Sequence, residues 1–563
     1  MATIRGNRRA LLKLLALLGV LAALLAVALA SAGPGLTTRV SVDSAGNQAT
    51  GLFGSFNSAI SADGRFVAFY SHASNLVAGD TNGKADVFVH DRQAGATTRI
   101  SVDSAGAQAN EGSFDPAISA DGHFVAFESL ASNLVAGDTN GKADVFVHDR
   151  LTGTTERVSV DSAGNQATDF FSGSRRPAIS ADGRFVTFDS TATLVAGDTN
   201  NHPDVFVHDR QTGATTRVSV DSVGNQTGGG ALPAISGDGR FVAFLSDTSD
   251  LVPGDTNGAL DVFVHDRQTG ATTRVSVDSA GNQEDSNNGR YRDVAISGDG
   301  RFVAFASDAS NLVAGDTNGT GDVFVHDRQT GATTRVSVDS AGGQGNNESG
   351  NGGLDISGDG RFVAFESVAS NLIESDTIFE DVFVHDRLTG ATTRVSVDSA
   401  GRQADHVSTH PSISDDGRFV AFESLASNLV AGDTNGIWDI FVHDRGAAVI
   451  NVTIDIKPGS DPNSIKLGDT GSVPVAIFST VTFDATSIDV STLQLNSASV
   501  RLVGGRKVLA SVDDINGDSL ADLVVQFDRG LLDLTVGDGI GTVTGSTLDG
   551  QSILGTDSVR VIE

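Results

Sequence analysis

Short apolar runs rich in Val, Ile, Phe and Thr alternate with turn residues along most of the chain, and beyond the first 32 residues no stretch keeps a helical period. From Pro116 one unit reads "PAISADGHFVAFESLASNLVAGDTNGKADVFVHDRLTGTTERVSVDSAGNQ". Its four runs, "PAIS", "HFVAFES", "DVFVHDR" and "TERVSVDS", predict β-strands A to D. Asp-Gly between A and B, and Thr-Gly between C and D, predict tight turns that join them into an antiparallel meander. Strands B and C are apolar at consecutive positions, so both of their faces need cover.

"VFVHDR" or "IFVHDR" occurs seven times, with His90, His148, His208, His265, His326, His385 and His443 spaced 57 to 61 residues apart. A supersecondary unit repeated at such a period predicts an array, and four-stranded sheets set radially about an axis cover each other on both faces. The two ends of the repeat region favour a closed ring. A lone D copy, "TTRVSVDS", runs from Thr37 to Ser44, and the seventh unit has A, B and C but passes into "GAAVINVTIDIK" where D belongs. We therefore expect an all-β fold: a seven-bladed β-propeller over 37–446, its N-terminal strand closing the last blade and removing the exposed sheet edge. "SADGRFVAF" followed by "DVFVHDR" and "TTRVSVD" resembles the TolB-type propeller repeat. That resemblance implies the same architecture, and the family includes periplasmic protein-binding modules as well as propellers attached to peptidases. The B–C segment "ASNLVAGDTNG" is longer than the family's pattern.

Residues 1–32 differ from all the rest: basic "MATIRGNRRALLKLL", apolar "LALLGVLAALLAVALA" and small residues at "ALASA" read as an export signal. "NRRALLK" resembles a twin-arginine signal, whereas the leucine-rich core fits the general secretory route; an uncleaved anchor is the alternative. The expected setting is secreted, periplasmic or extracellular, with no membrane span after signal removal, and the chain is expected to be a monomer. There is no Cys, so burial rather than disulfides must hold the fold. Asp plus Glu (70) exceed Lys plus Arg (38), for a net charge of −32, which argues against nucleic acid and for cations, basic partners or solubility.

A catalytic centre is normally unique, whereas the strand-C His and the Ser of "VDSAG" recur in the repeats, so both read as building material. The His is expected to pack between blades and hydrogen-bond a neighbour, as the buried His of WD-type propellers does. No G-x-S-x-G elbow occurs, and the chain is expected not to be an enzyme. In "GDTNGKAD", Asp80, Asn82 and Asp86 could meet a hard cation, but the sixth unit has "SDTIFED", which favours a turn capped by its own side chains.

The D–A segments and long B–C loops share one face, and only there do the repeats diversify, which is how binding surfaces are commonly built. Phe53, Phe56, Phe114, Phe170, Phe171 and Tyr291 are the aromatic binding candidates, with Arg175, Arg176, Arg290, Arg292, His406 and His410 as polar ones. The expected function is a binding scaffold for a protein, glycan or cell-surface ligand. One alternative is a carbohydrate-active or other polymer-processing enzyme with its site at the channel mouth, where Asp115, Arg176, Asp293, Asp355 and His410 break the repeat. The other is a structural envelope component.

From Ala447 the pattern changes to "VINVTIDIKPGSDPNSIKL" and later "LDGQSILGTDSVRV", which predicts a small β-sandwich over 447–563. It resembles an accessory domain of secreted bacterial proteins. Its "DINGDSLAD" places Asp514, Asn516, Asp518 and Asp522 at loop positions one, three, five and nine, with a backbone oxygen from Leu520. That spacing points to structural calcium, although Ser519 stands where Gly is usual.

Overall fold

The computed structural model describes residues 35–562 apart from 168–172, 286–292, 375, 377–378, 447–448, 461, 467–470, 481–482, 497, 504–506, 533, 535 and 549–551. The expected export signal lies outside the described residues. The chain forms two compact units that divide between Gly446 and Ala447.

Among the described residues the first unit forms seven four-stranded antiparallel sheets. Blade 1 has strands A (Ser55–Ile60), B (Phe66–Ser71), C (Asp86–Asp91) and D (Ala96–Arg99). In blade 7, strands A to C are Ser408–Ile413, Phe419–Ser424 and Asp439–Asp444, and strand D is the N-terminal Leu36–Arg39, with Leu36 opposite Asp444 and Arg39 opposite Phe441. The first strand thus closes the last blade, as the offset of the repeats predicts. A second ring runs through the A–B turns. Ala62 donates its N–H to the Ala120 carbonyl, and the chain of bonds continues through Ala181, Gly237, Gly298, Gly358 and Asp415 back to Ala62, each 2.9–3.2 Å long. The A–B turns therefore gather about the axis at one end, and the D–A connections enter at the other.

Side chains explain why the blades stack. Val87, Phe88 and Val89 of strand C are fully buried, and Phe88 stacks on Phe69 of strand B at 6.0 Å. His90 Nδ1 lies 2.8 Å from Thr97 Oγ1, whose hydroxyl donates to the Val42 carbonyl of the preceding repeat at 2.5 Å. With the Thr proton committed to that carbonyl, the imidazole donates from Nδ1. Every blade repeats the His–Thr contact at 2.8–2.9 Å, and blade 7 makes it between His443 and Thr37. Burial holds these imidazoles below their ordinary pKa, at about 4 for His265, His385 and His443. The recurring His is a structural tie.

The A–B turn glycine serves the same packing. Gly64 has φ +70°, and a side chain there would run into the Phe419 ring of blade 7. That ring lies between the Arg92 and Arg418 guanidiniums, at 4.5 and 4.6 Å. In "GDTNGKAD", Arg99 Nη1 sits 3.4 Å from Asp80 and 3.6 Å from Asp86, while Asp86 also accepts from Ser101 Oγ (2.5 Å) and Asn82 Nδ2 (2.8 Å). A guanidinium neutralises these carboxylates, in line with the turn reading.

The second unit is a β-sandwich. One sheet holds Val449–Asn451, Ser552–Ile562, Gly537–Thr547, Ile488–Leu495 and Ala498–Ser499, with Ser464–Lys466 beside the second of these. The other holds Ile454–Ile456, Ser472–Ile477, Asp522–Asp528 and Ala510–Asp513. Ile456, Val475, Leu495, Val525, Phe527 and Val543 share its core.

Candidate functional site

The innermost strands are not regular. Strand A shifts register against strand B in blades 1, 2, 3, 4, 6 and 7, at Phe56/Ala59, Phe114/Ala117, Arg175/Ala178, Ala231/Ala234, Ser349/Leu354 and Thr409/Ser412. At the bulge stand Asn57, Asp115, Arg176, Leu232 and His410 with φ of 46–53°, and in blade 6 Gly353 with φ 132°. A left-handed conformation costs a non-glycine residue about 1–2 kcal/mol, and such strain concentrates at functional sites. Its effect here is directional. Asn57, Asp115, Arg176, Leu232, Asp293, Gly353 and His410 line a cavity of about 330 Å³ at the D–A end of the axis, together with the residues that follow in five blades, Ser58, Pro116, Pro177, Pro233 and Pro411.

A second layer supports this ring, and sequence reading missed it. The fifth residue of strand B is Tyr70, Glu128, Asp189, Leu245, Ala306, Glu366 or Glu423 in successive blades. The acids among them accept backbone N–H groups that the bulges withdraw from the ladder. Glu423 accepts from Asn57 at 3.0 Å and Asp189 from Leu232 at 3.2 Å, while Glu128 and Glu366 take the N–H of Arg176 and Gly352. The signal was present: "FVAF" is followed by Tyr, Glu, Leu or Ala in an otherwise monotonous strand.

Burial governs the electrostatics of the mouth. It pushes Glu128, Asp355 and Glu366 up to about 7 and Asp293 to about 6, the last moderated by His410. Glu366 Oε2 is buried with no hydrogen-bond partner. Arg176 pairs with Asp189 at 3.0 Å and Arg175 approaches Glu128 at 3.7 Å. Burial lowers the pKa of His410, and the bond to Glu423 at 2.9 Å more than reverses this. Asn57 Nδ2 donates to Asp115 at 2.7 Å.

An aromatic shelf adjoins the ring through chain neighbours. Phe56 precedes Asn57 and packs on Tyr70 (5.5 Å) and Trp438 (6.2 Å), and Phe114 precedes Asp115 and meets Tyr70 edge-on at 5.4 Å. Phe53, 61% exposed, lies 5.2 Å from His72. Tyr70, His72 and Trp438 were not foreseen. Of the predicted residues, Arg176 and His410 line the cavity, Arg175, Phe56 and Phe114 are chain neighbours of lining residues, and Phe53 meets His72, which in turn meets Tyr70. His406 is not brought to the cavity; it is exposed and stacks on Phe379 at 5.3 Å. Asp355 lies outside the lining, where it accepts the Ile413 N–H at 2.8 Å. Phe170, Phe171, Arg290, Tyr291 and Arg292 lie outside the described residues.

In the second unit, Asp514 accepts the N–H groups of Gly517, Asp518 and Ser519 at 2.8–3.1 Å, and Asp518 accepts from Asn516 Nδ2 and from the Leu520 N–H. Ser519 has φ 72°, the conformation for which such loops carry Gly. Asp522 is fully buried, and its two oxygens accept from Ser479 N and Ile515 N at 2.9 Å. It anchors the loop to the sheet. Among the described residues no three His, Cys, Asp or Glu side chains are grouped to hold a metal.

No family model and no curated protein matches the chain. Similar solved structures are β-propeller proteins. TolB from Acinetobacter baumannii is 17% identical over 50% of this chain and 53% of its own, with a TM-score of 0.31. The β-propeller domain of the trilobed protease from Pyrococcus furiosus is 10% identical over 69% of this chain and 95% of its own, with a TM-score of 0.40. An acylaminoacyl peptidase is 10% identical over 76% of this chain and 58% of its own, also with a TM-score of 0.40. The chain thus spans about half the length of that TolB. At these identities the likeness concerns the fold alone.

One expectation is corrected. Beside TolB, the similar structures include prolyl endopeptidases, an acylaminoacyl peptidase and the tricorn protease, so this kind of propeller gives no ground for calling the chain a non-enzyme.

Proposed function

We propose that the chain is an exported propeller that binds a protein or glycan ligand at the D–A mouth. One observation carries this reading: Asn57, Asp115, Arg176, Leu232, Asp293, Gly353 and His410 hold the same position in seven nearly uniform repeats and line the same cavity, yet they differ from blade to blade, while the prolines that follow four of them recur. A lumen serving only packing would repeat these seven positions too, as the His–Thr ties and the four prolines repeat. The basic and apolar start of the chain supports export. Among the described residues no helix is long and apolar enough to cross a membrane.

The test is a glycan array and a cell-surface pull-down, with wild type beside Leu232→Trp. Leu232 already has φ 53°, so Trp adds bulk to the cavity with no new backbone demand. Retention that falls at least about tenfold in the variant supports the mouth, roughly the loss of one well-placed contact group. Equal retention refutes it.

We also propose structural calcium in the loop of the second unit. Asp514, Asn516, Asp518 and the Leu520 carbonyl would be its ligands, with Asp522 retained as the hydrogen-bonded anchor. Exposed Asp514 and Asp518 supply hard oxygen donors, the chemistry such an ion needs. Calcium at a hundred times its Kd would stabilise this unit by about 3 kcal/mol. Its melting temperature should therefore rise with calcium and fall with chelator, and identical melts would refute the site.

A further inference from the structure

We propose that the ligand of the mouth is a peptide segment presenting a cationic group, a Lys or Arg side chain or a free amino terminus, next to a large apolar side chain. This rests on reading the mouth as the binding site, and it concerns what enters it.

Charge pairing around the cavity carries the first half. Among the described residues each cation of the mouth has an acid of its own: Arg176 has Asp189, Arg175 has Glu128 and His410 has Glu423, at 3.0, 3.7 and 2.9 Å. Asp115 and Asp293 remain on the cavity wall, and among the described residues no cation lies within ion-pair distance of either. Behind them Asp355 and Glu366 are likewise unpaired, and Glu366 Oε2, on a side chain almost wholly buried against Gly352, lacks any hydrogen-bond partner. Gly352 adjoins Gly353 and Thr409 adjoins His410, so this carboxyl stands directly behind two lining residues. A cation entering the cavity meets Asp115 and Asp293, to which no described residue offers an ion-pair partner. An anion is repelled, and a neutral sugar leaves the charge as it was.

The shelf carries the second half. Phe56 and Phe114 are the chain neighbours of Asn57 and Asp115, so the aromatic group of Phe56, Tyr70, Phe114 and Trp438 begins where the acidic wall at Asp115 ends. A cavity of about 330 Å³ accepts one or two side chains, not a folded domain. A residue with a positive tip therefore fits inside, with its apolar neighbour on the shelf.

Trp438 is the only Trp in the chain and belongs to the shelf, so its fluorescence reports occupancy. The full exported chain would be titrated with acetyl-Ala-Lys-Phe-Ala-amide, with Ala-Ala-Phe-Ala-amide bearing a free amino terminus, with acidic (Glu for Lys) and neutral acetylated counterparts, and with cellohexaose. At least one of the two cationic peptides should bind about tenfold more tightly than the acidic and neutral probes, and which one binds identifies the cation's source. That binding should weaken at least about fivefold when ionic strength rises from about 0.05 to 0.3 M, where screening shortens from about 14 to 6 Å. The Asp115→Asn/Asp293→Asn double variant should lose a further tenfold while melting within a few degrees of wild type. Should the double variant fail to fold, the salt dependence and the probe ranking decide. Cationic peptides that bind no better than the others, leave Trp438 unchanged, or ignore the double substitution overturn the inference. Tight binding of cellohexaose or the acidic peptide that Leu232→Trp abolishes would overturn it yet leave the mouth as the site. Cationic binding that survives Leu232→Trp would remove the mouth itself.

Discussion

Thr333 shows how much one repeated residue carries. Its hydroxyl donates to the Val277 carbonyl at 2.5 Å and accepts from His326 Nδ1 at 2.9 Å, so Thr333→Val strands two buried groups. We expect a loss of about 2 kcal/mol, read from the urea unfolding midpoint. The acids behind the mouth make a prediction of opposite character. Glu366 holds its proton up to about pH 7 in the fold and only to its ordinary value near 4.5 when unfolded. Between these the native state binds more protons, so its contribution to stability falls as pH rises. Glu366→Gln should melt with wild type near pH 4.5 and be more stable at pH 8, by up to about 3 kcal/mol. The buried His residues work the other way: the unfolded chain takes up protons below its ordinary pKa near 6.5 that native His265, His385 and His443 refuse until about 4, so they destabilise progressively across that window. The role of the His was legible because it recurs. The role of Glu366 was not, since a carboxylate in a strand reads as solvent-facing until the bulge of its own blade frees the Gly352 N–H that draws it inward.

Among the elements, Leu36–Arg39 matters most to closure. It pairs along strand C of blade 7, and its Thr37 makes that blade's His–Thr tie. Deleting residues 35–44 leaves strand C as an open edge beside a gap in the ring. The truncated chain should melt at least about 10 °C lower, a loss of several kcal/mol for a domain this size, and should self-associate on size-exclusion chromatography with light scattering. This element was readable from seven A–B–C sets and a D copy displaced to the front. The bulges were not. They depend on register against strand B and on the acid waiting behind it, and only the prolines after Asp115, Arg176, Leu232 and His410 hinted at broken pairing.

At the scale of the whole molecule, ring topology turns residues about 60 positions apart into neighbours. The breaks in the repeat at Asp115, Arg176, Asp293 and His410 were visible in the chain, and closure assembles them into one lining. Phe56 and Phe114 gained partners, Tyr70 and Trp438, that no local pattern connects to them. The expectation of a non-enzyme rested on the recurrence of the His and Ser and on a missing motif, and it is not kept, since the similar solved structures include peptidases.

The front of the chain clasps the last repeat and thereby builds the mouth. The chain lacks cysteine, so one introduced pair, Thr38→Cys with Val442→Cys at opposed positions, reports on that clasp without background. Under oxidation the pair should form an intramolecular disulfide nearly quantitatively in monomeric protein, seen as a reductant-sensitive shift on denaturing gels. Free thiols, or disulfides found only in oligomers, would contradict the closed ring.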